Sequence, residues 1–135
     1  MKPLRVPGDP AKAIRDHFAA VLPGLLDAPL PTIALNVPDD WTRDSAPHVG
    51  VFDDGGPTLW PIYAEPVVRV TVWANGRTLS RTIAGVCLGI LYAHTITGVA
   101  QVTDISGLLE ARDPKNLGLM TSLTANIKAR TLPIS

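Results

Sequence analysis

Cysteine occurs once in these 135 residues, at Cys87, so no disulfide can form within the chain. That fits a reducing compartment. A lone cysteine on an apolar stripe reads as a small buried hydrophobe and not as a nucleophile. Net charge is missing too, since 12 basic and 12 acidic side chains cancel. A domain that binds DNA by itself needs a clustered basic surface, and this balance argues against one. It leaves room for a protein that only surrounds DNA. No apolar run approaches the roughly 20 residues needed to cross a bilayer. The most apolar segment, Ile83–Leu91, is interrupted by Gly85 and Gly89. Met1-Lys2-Pro3-Leu4-Arg5 lacks the apolar core of a signal peptide. The expected setting is a cytoplasm, or a particle assembled there, with no membrane partner. Aromatics are few, at 5%, and there is neither an internal repeat nor a low-complexity tract.

Signatures of chemistry are absent as well. The chain contains no HExxH, no Cys/His zinc spacing, no Walker loop, no Gly-x-Gly-x-x-Gly and no Gly-x-Ser-x-Gly elbow. His17, His48 and His94 fall on three separate predicted elements. A triad assembles in space, so spacing alone leaves one open. Asp39, Asp40, Asp44, Asp53 and Asp54 form the acidic cluster, without the spacing of a calcium loop. They read as solvated turn and cap residues. No catalytic, metal or cofactor-binding residue is assigned, no cofactor is expected, and the chain is not expected to be an enzyme.

What is present is a foldable domain. The chain is 46% hydrophobic and long enough for one core, too short for two ordinary ones. Its centre is Pro66 to His94. Val67 to Trp73 is rich in β-branched residues and reads as a strand, with Val68, Val70 and Val72 on one face. Asn75-Gly76 breaks it. A helix follows, within residues 76–94. Leu79, Ile83, Val86, Cys87, Ile90 and Leu91 make its apolar stripe, and Arg77, Ser80 and Arg81 fall off it. Gly85 and Gly89, with Ala84 and Leu88, make a flatter strip. Either the helix packs closely on its own sheet there, or a neighbouring subunit does.

Upstream, within residues 1–30, Asp9 caps a helix that opens on Pro10, carries Ile14, Phe18, Val21 and Leu22 inward, and ends at Pro23-Gly24. Residues 31–73 read as strands and loops: Thr32–Val37, His48–Phe52, a tight turn at Asp53-Asp54-Gly55-Gly56-Pro57, and Thr58–Ala64 broken by Pro61. Residues 98–132 form a C-terminal hairpin. Its first strand, Val99–Asp104, continues past a kink into Leu108–Ala111 and turns at Asp113–Asn116. Its last, Leu119 to Leu132, alternates with Leu119, Leu123, Ala125, Ile127 and Ala129 inward. The order predicts one α+β domain, an antiparallel or mixed sheet with both helices on one face.

Three blocks resemble a known family. They are Val49-Gly50-Val51-Phe52-Asp53-Asp54-Gly55-Gly56-Pro57 with Trp60-Pro61; Val68-Arg69-Val70-Thr71-Val72-Trp73-Ala74 and the helix through Leu91-Tyr92-Ala93-His94; and Gly107-Leu108-Leu109-Glu110-Ala111-Arg112-Asp113-Pro114 with its closing strand. Together, over roughly Pro47 to Leu132, they resemble the tail terminator of long-tailed phages of mycobacteria and related actinobacteria. The resemblance implies a tail-terminator-like α+β domain in a homohexameric ring, located in the virion at the tail-neck junction after assembly in the host cytoplasm. Such a ring caps the tail tube, ends its polymerisation and joins it to the head connector, with DNA passing through without sequence-specific binding. The implied partners are copies of the chain, the tail tube protein and the connector or stopper protein.

A ring of identical subunits needs two different patches that meet. Candidate interface residues are Arg69, Arg77 and Arg81 around the helix start, and Gly85 and Gly89 on its strip. Further candidates are Arg112, Asp113 and Lys115 on a hairpin expected to reach outward, and Lys128 and Arg130 on the polar face of the last strand. Alternatives are another neck ring, such as a head-completion or stopper protein, and a small oligomeric enzyme or ligand-binding module. The last would require His48, His94 or the aspartates to converge in a cleft.

Overall fold

A computed structural model describes residues 4–60 and 62–134 of the chain. Met1-Lys2-Pro3, the start of the segment weighed against a signal peptide, and Pro61, the expected strand breaker, lie outside the described residues. In chain order the elements are β1 (Arg5–Val6), α1 (Pro10–Leu25), β2 (Thr32–Ala34), β3 (His48–Asp53), β4 (Thr58–Leu59), β5 (Tyr63–Ala64), β6 (Val67–Ala74), α2 (Arg77–Ala93), β7 (Gln101–Thr103), β8 (Leu109–Arg112), β9 (Leu119–Arg130) and β10 (Leu132–Pro133).

Asp9 starts α1 as its residue type dictates: its Oδ1 accepts the Lys12 amide at 3.1 Å, and Pro10 supplies the first turn. Ile14, Phe18 and Leu22 are buried on one stripe. Each contributes about 1.5–3 kcal/mol by leaving water. Pro23-Gly24 does not end the helix, which runs to Leu25 and closes on a Leu26 amide bond to the Leu22 carbonyl. A proline in the last turn removes one backbone donor. The carbonyl it leaves without that donor is that of Ala19, an exposed residue.

The sheet is built on two long antiparallel strands, β6 and β9, paired from Val67↔Asn126 to Ala74↔Leu119. β5 continues the line of β6 in the same register, with Tyr63↔Arg130 and Ala64↔Ala129. β7 and β8 occupy the opposite edge of β9, since Thr103 and Val67 both face Asn126. β3 flanks β6 antiparallel, and β2 adds one parallel edge strand. The sheet is therefore mixed. Val49, Val51, Val68, Val70, Val72, Leu123 and Ile127 face one side, where they form a single core with Ile14, Phe18, Ile83, Cys87 and Ile90. Both helices cover that side, giving the expected α+β architecture. β1 and β10 pair apart as a two-stranded ribbon.

Three local expectations are corrected. Asp53–Pro57 is not a tight hairpin turn. The Asp54 amide bonds the Val67 carbonyl and the Glu65 amide bonds that of Pro57, so the strand bulges and continues into β4. The reversal comes later, where the Ile62 amide bonds the Leu59 carbonyl. The glycines serve the bulge: Gly55 has φ +80, and a Cβ on Gly56 would run into the Glu65 carbonyl oxygen. Ser80 is not off the buried face. It is fully buried, with its Oγ 3.2 Å from the Val72 carbonyl and 2.7 Å from Thr121 Oγ1. Gly85 and Gly89 do not pack against their own sheet, because a Cβ on either meets open space.

Candidate functional site

The histidines divide into two environments. His48 is buried beside Trp73, with Nδ1 2.6 Å from Thr32 Oγ1 and Nε2 2.6 Å from the Asn36 carbonyl. Burial lowers its pKa, and the bond to Asn36 opposes that in part. It ties β2 and the loop after it to β3. His17 and His94, expected on separate elements, meet at 2.9 Å between Nε2 and Nδ1. Their ring centres are 5.1 Å apart, so the remaining separation is two ring radii and the nitrogens lie near the line joining the centres. One donates and the other accepts, almost head-on. Desolvation first, then the neighbouring imidazole, lowers the His17 pKa. Among the described residues, no three His, Cys, Asp or Glu side chains are grouped to hold a metal. Burial pushes the Cys87 thiol up to about 12, so it stays protonated at neutral pH.

The arginines expected near the helix start do not form one patch. Arg77 and Arg81, one turn apart on α2, clamp Glu110 of β8 at 2.9 and 3.1 Å. Hydrogen bonding and charge from Arg77, then from Arg81, hold the Glu110 carboxyl below its ordinary range. Arg69 lies on the sheet face away from the helices, bonded to Asp54 at 3.2 Å and stacked over Phe52 at 4.5 Å. Lys128 on the same face lies over Tyr63 at 5.0 Å.

The β8–β9 turn does not reach out. Asp113 Oδ2 accepts the indole N–H of buried Trp73 at 3.0 Å, and Lys115 pairs with Asp39 at 3.4 Å. Arg112 closes the turn on the Leu117 carbonyl. Gly118 abuts the Trp41 ring so tightly that a Cβ would overlap it. This turn is docked on the 35–47 loop, and Asp113 acts as an anchor for Trp73.

The surface that sequence reasoning missed is the far end of β9. There the β4–β5 reversal presents Leu59, Trp60 and Ile62, which are 52%, 51% and 63% exposed. The Thr131 amide reaches the Ile62 carbonyl at 3.4 Å, so β10 leaves β9 beside this tip. In the β1–β10 ribbon Val6 opposes Leu132, and the Ile134 amide bonds the Leu4 carbonyl. Strand alternation then puts Leu4, Val6, Leu132 and Ile134 on one face, and all four are exposed. Arg5 lies on the other face, bonded through Nε to Thr131 Oγ1 at 2.7 Å. On the β7 edge, a groove of about 710 Å³ runs between the start of α1 and residues 96–100, and Leu132 forms part of its wall. Arg130 stands at its rim. The signal in the sequence was the run Leu59-Trp60-Pro61-Ile62, which has no charge to keep it in water.

Among the described residues no helix is long and apolar enough to cross a membrane. Compared with known families and curated proteins, the chain matches no family model and no curated sequence.

Proposed function

We propose that this chain is a structural protein of a phage virion: a tail terminator that forms a homohexameric ring, caps the tail tube, ends its polymerisation and joins it to the head connector. DNA passes through the lumen. The observation that carries the reading is the apolar end of the sheet. Leu4, Val6, Leu59, Trp60, Ile62, Leu132 and Ile134 are all exposed there. Three of them sit on the β4–β5 reversal and four on one face of the β1–β10 ribbon, two clusters of exposed apolar side chains of the kind that mark interaction sites. A surface of this kind calls for a protein neighbour. The three blocks that resemble tail terminators supply which neighbour. The α+β domain, with helices on one sheet face only, is compatible with a ring subunit whose remaining faces meet copies.

The test is electron microscopy and sedimentation of the purified protein, alone and with tail tubes. Rings of six copies that bind tube ends and stop further tube growth are expected. Protein that neither forms rings nor touches tubes overturns the reading. Rings that bind the head connector and ignore tubes identify a stopper instead.

A further inference from the structure

Two residues with a short side-chain acyl group stand directly before a glycine: Asp54 before Gly55, and Asn75 before Gly76. A glycine amide is open to that side chain because no Cβ stands in the way. The fold treats the two pairs differently. At the first, the Gly55 amide donates to Asp53 Oδ1 at 2.8 Å, and Asp54 Oδ2 accepts from Arg69 at 3.2 Å, so both reacting groups are occupied. At the second, Asn75 is exposed at the joint between β6 and α2. Among the described residues, neither its side-chain amide nor the Gly76 N–H has a hydrogen-bond partner. Gly76 is the N-cap of α2, a helix with no side-chain cap and no acidic residue in its first turn. The orphan amides of that turn put the positive end of the helix dipole beside the Gly76 nitrogen, and this field favours loss of its proton. The other asparagines are held or hindered. Asn116 donates through Nδ2 to Asp113 and accepts the Gly118 amide through Oδ1, and Asn126 donates through Nδ2 to Asp104. Asn36 precedes Val37, whose branched Cβ crowds the amide.

We propose that Asn75 is a site of spontaneous deamidation. The Gly76 nitrogen, having lost its proton, forms a bond to Cγ of Asn75. The Cγ–Nδ2 bond breaks, and Nδ2 leaves as ammonia. Water then opens the succinimide ring at either carbonyl. One opening leaves an aspartate. The other leaves an isoaspartate, whose main chain runs through the side-chain carbonyl and is longer by a methylene. Water is the sole co-reactant. Either product adds a negative charge to a chain whose charges balance, at a helix end that favours an anion. The lengthened main chain falls directly ahead of Arg77, which holds Glu110. This site does not depend on the ring reading above.

The full-length protein, aged in mildly alkaline buffer both folded and in urea, tests it, with its peptides sequenced by electron-transfer mass spectrometry. In the folded protein Asn75 is expected to convert to aspartate and isoaspartate at least ~10-fold faster than any other asparagine, a barrier lower by about 1.4 kcal/mol. Asp54 is expected to isomerise through the same kind of ring in urea and to stay intact when folded. Gly76→Ser keeps the fold, because a Cβ there meets open space and serine supplies the cap oxygen that α2 lacks. It is expected to slow the conversion by ~10-fold or more, since its side chain crowds the attacking nitrogen. Folded wild type in which Asn75 stays intact, or in which Asp54 isomerises as fast, overturns the assignment. So does a Gly76→Ser variant that converts at the wild-type rate.

Discussion

Ser80 shows how much one polar side chain can hold. Its hydroxyl sits between the Val72 carbonyl of β6 and Thr121 Oγ1 of β9, with no access to water. Ser80→Ala leaves Thr121 short of a partner inside the core. A loss of about 1–3 kcal/mol is expected in urea denaturation. Ser80→Ala with Thr121→Val, which removes both partners, is expected to cost less than the single change. His48 gives a pH dependence at the same scale. Its folded pKa lies below the ordinary value of about 6.5, so the unfolded chain takes up the proton first. Its contribution is therefore complete above about pH 6.5 and is lost as pH falls through the lower folded pKa. His17 acts in the same direction. Denaturation midpoints are expected to drop between pH 7.5 and 5.5, and to drop less in His48→Gln.

At the scale of elements, two glycine pairs with similar sequence weight have opposite meanings. Gly55-Gly56 reads as a turn and is a bulge that lets one long hairpin bend. Gly56→Ala forces a methyl group onto the Glu65 carbonyl, and backbone cannot yield as a side chain would. A cost of about 1–3 kcal/mol is expected from chemical denaturation. Gly85 and Gly89 read as a close-packing strip and face open space on α2. Gly89→Ala is expected to stabilise the isolated subunit by about 1 kcal/mol in the same assay. If a neighbouring copy packs on that strip, the same variant folds better and assembles worse, which sedimentation separates. The alternation of β9 and the spacing of α1 and α2 were plain in the sequence, because burial on one face imposes a period. Glycine has no such period, and its role depends on what comes near its missing side chain.

For the whole molecule, the decisive feature is the set of exposed apolar side chains on the β4–β5 reversal and the β1–β10 ribbon. One end of the sheet carries apolar side chains without a partner, while the arginines that suggested an interface are engaged within the chain by Glu110 and Asp54. If the apolar end is covered by other copies, assembly stabilises the folded state by mass action. The melting temperature is then expected to rise with protein concentration in the wild type and to be flat in Trp60→Glu. Calorimetry over a hundredfold concentration range checks this. A flat wild-type profile would mean that the end stays in water.

The amino-acid order alone determined the α+β class, the two amphipathic helices, the two long central strands and most of the residues that enter the core. Each of these follows from local periodicity, capping and turn chemistry, which act over a few residues. Only the tertiary structure decided that His17 meets His94, that Glu110 collects two arginines, that Asp113 holds Trp73, and which edge of β9 each shorter strand takes. Those facts join residues that are 29 to 77 positions apart, or depend on which edge of a strand a neighbour takes. Strand register sets such distances, and no short-range pattern encodes it.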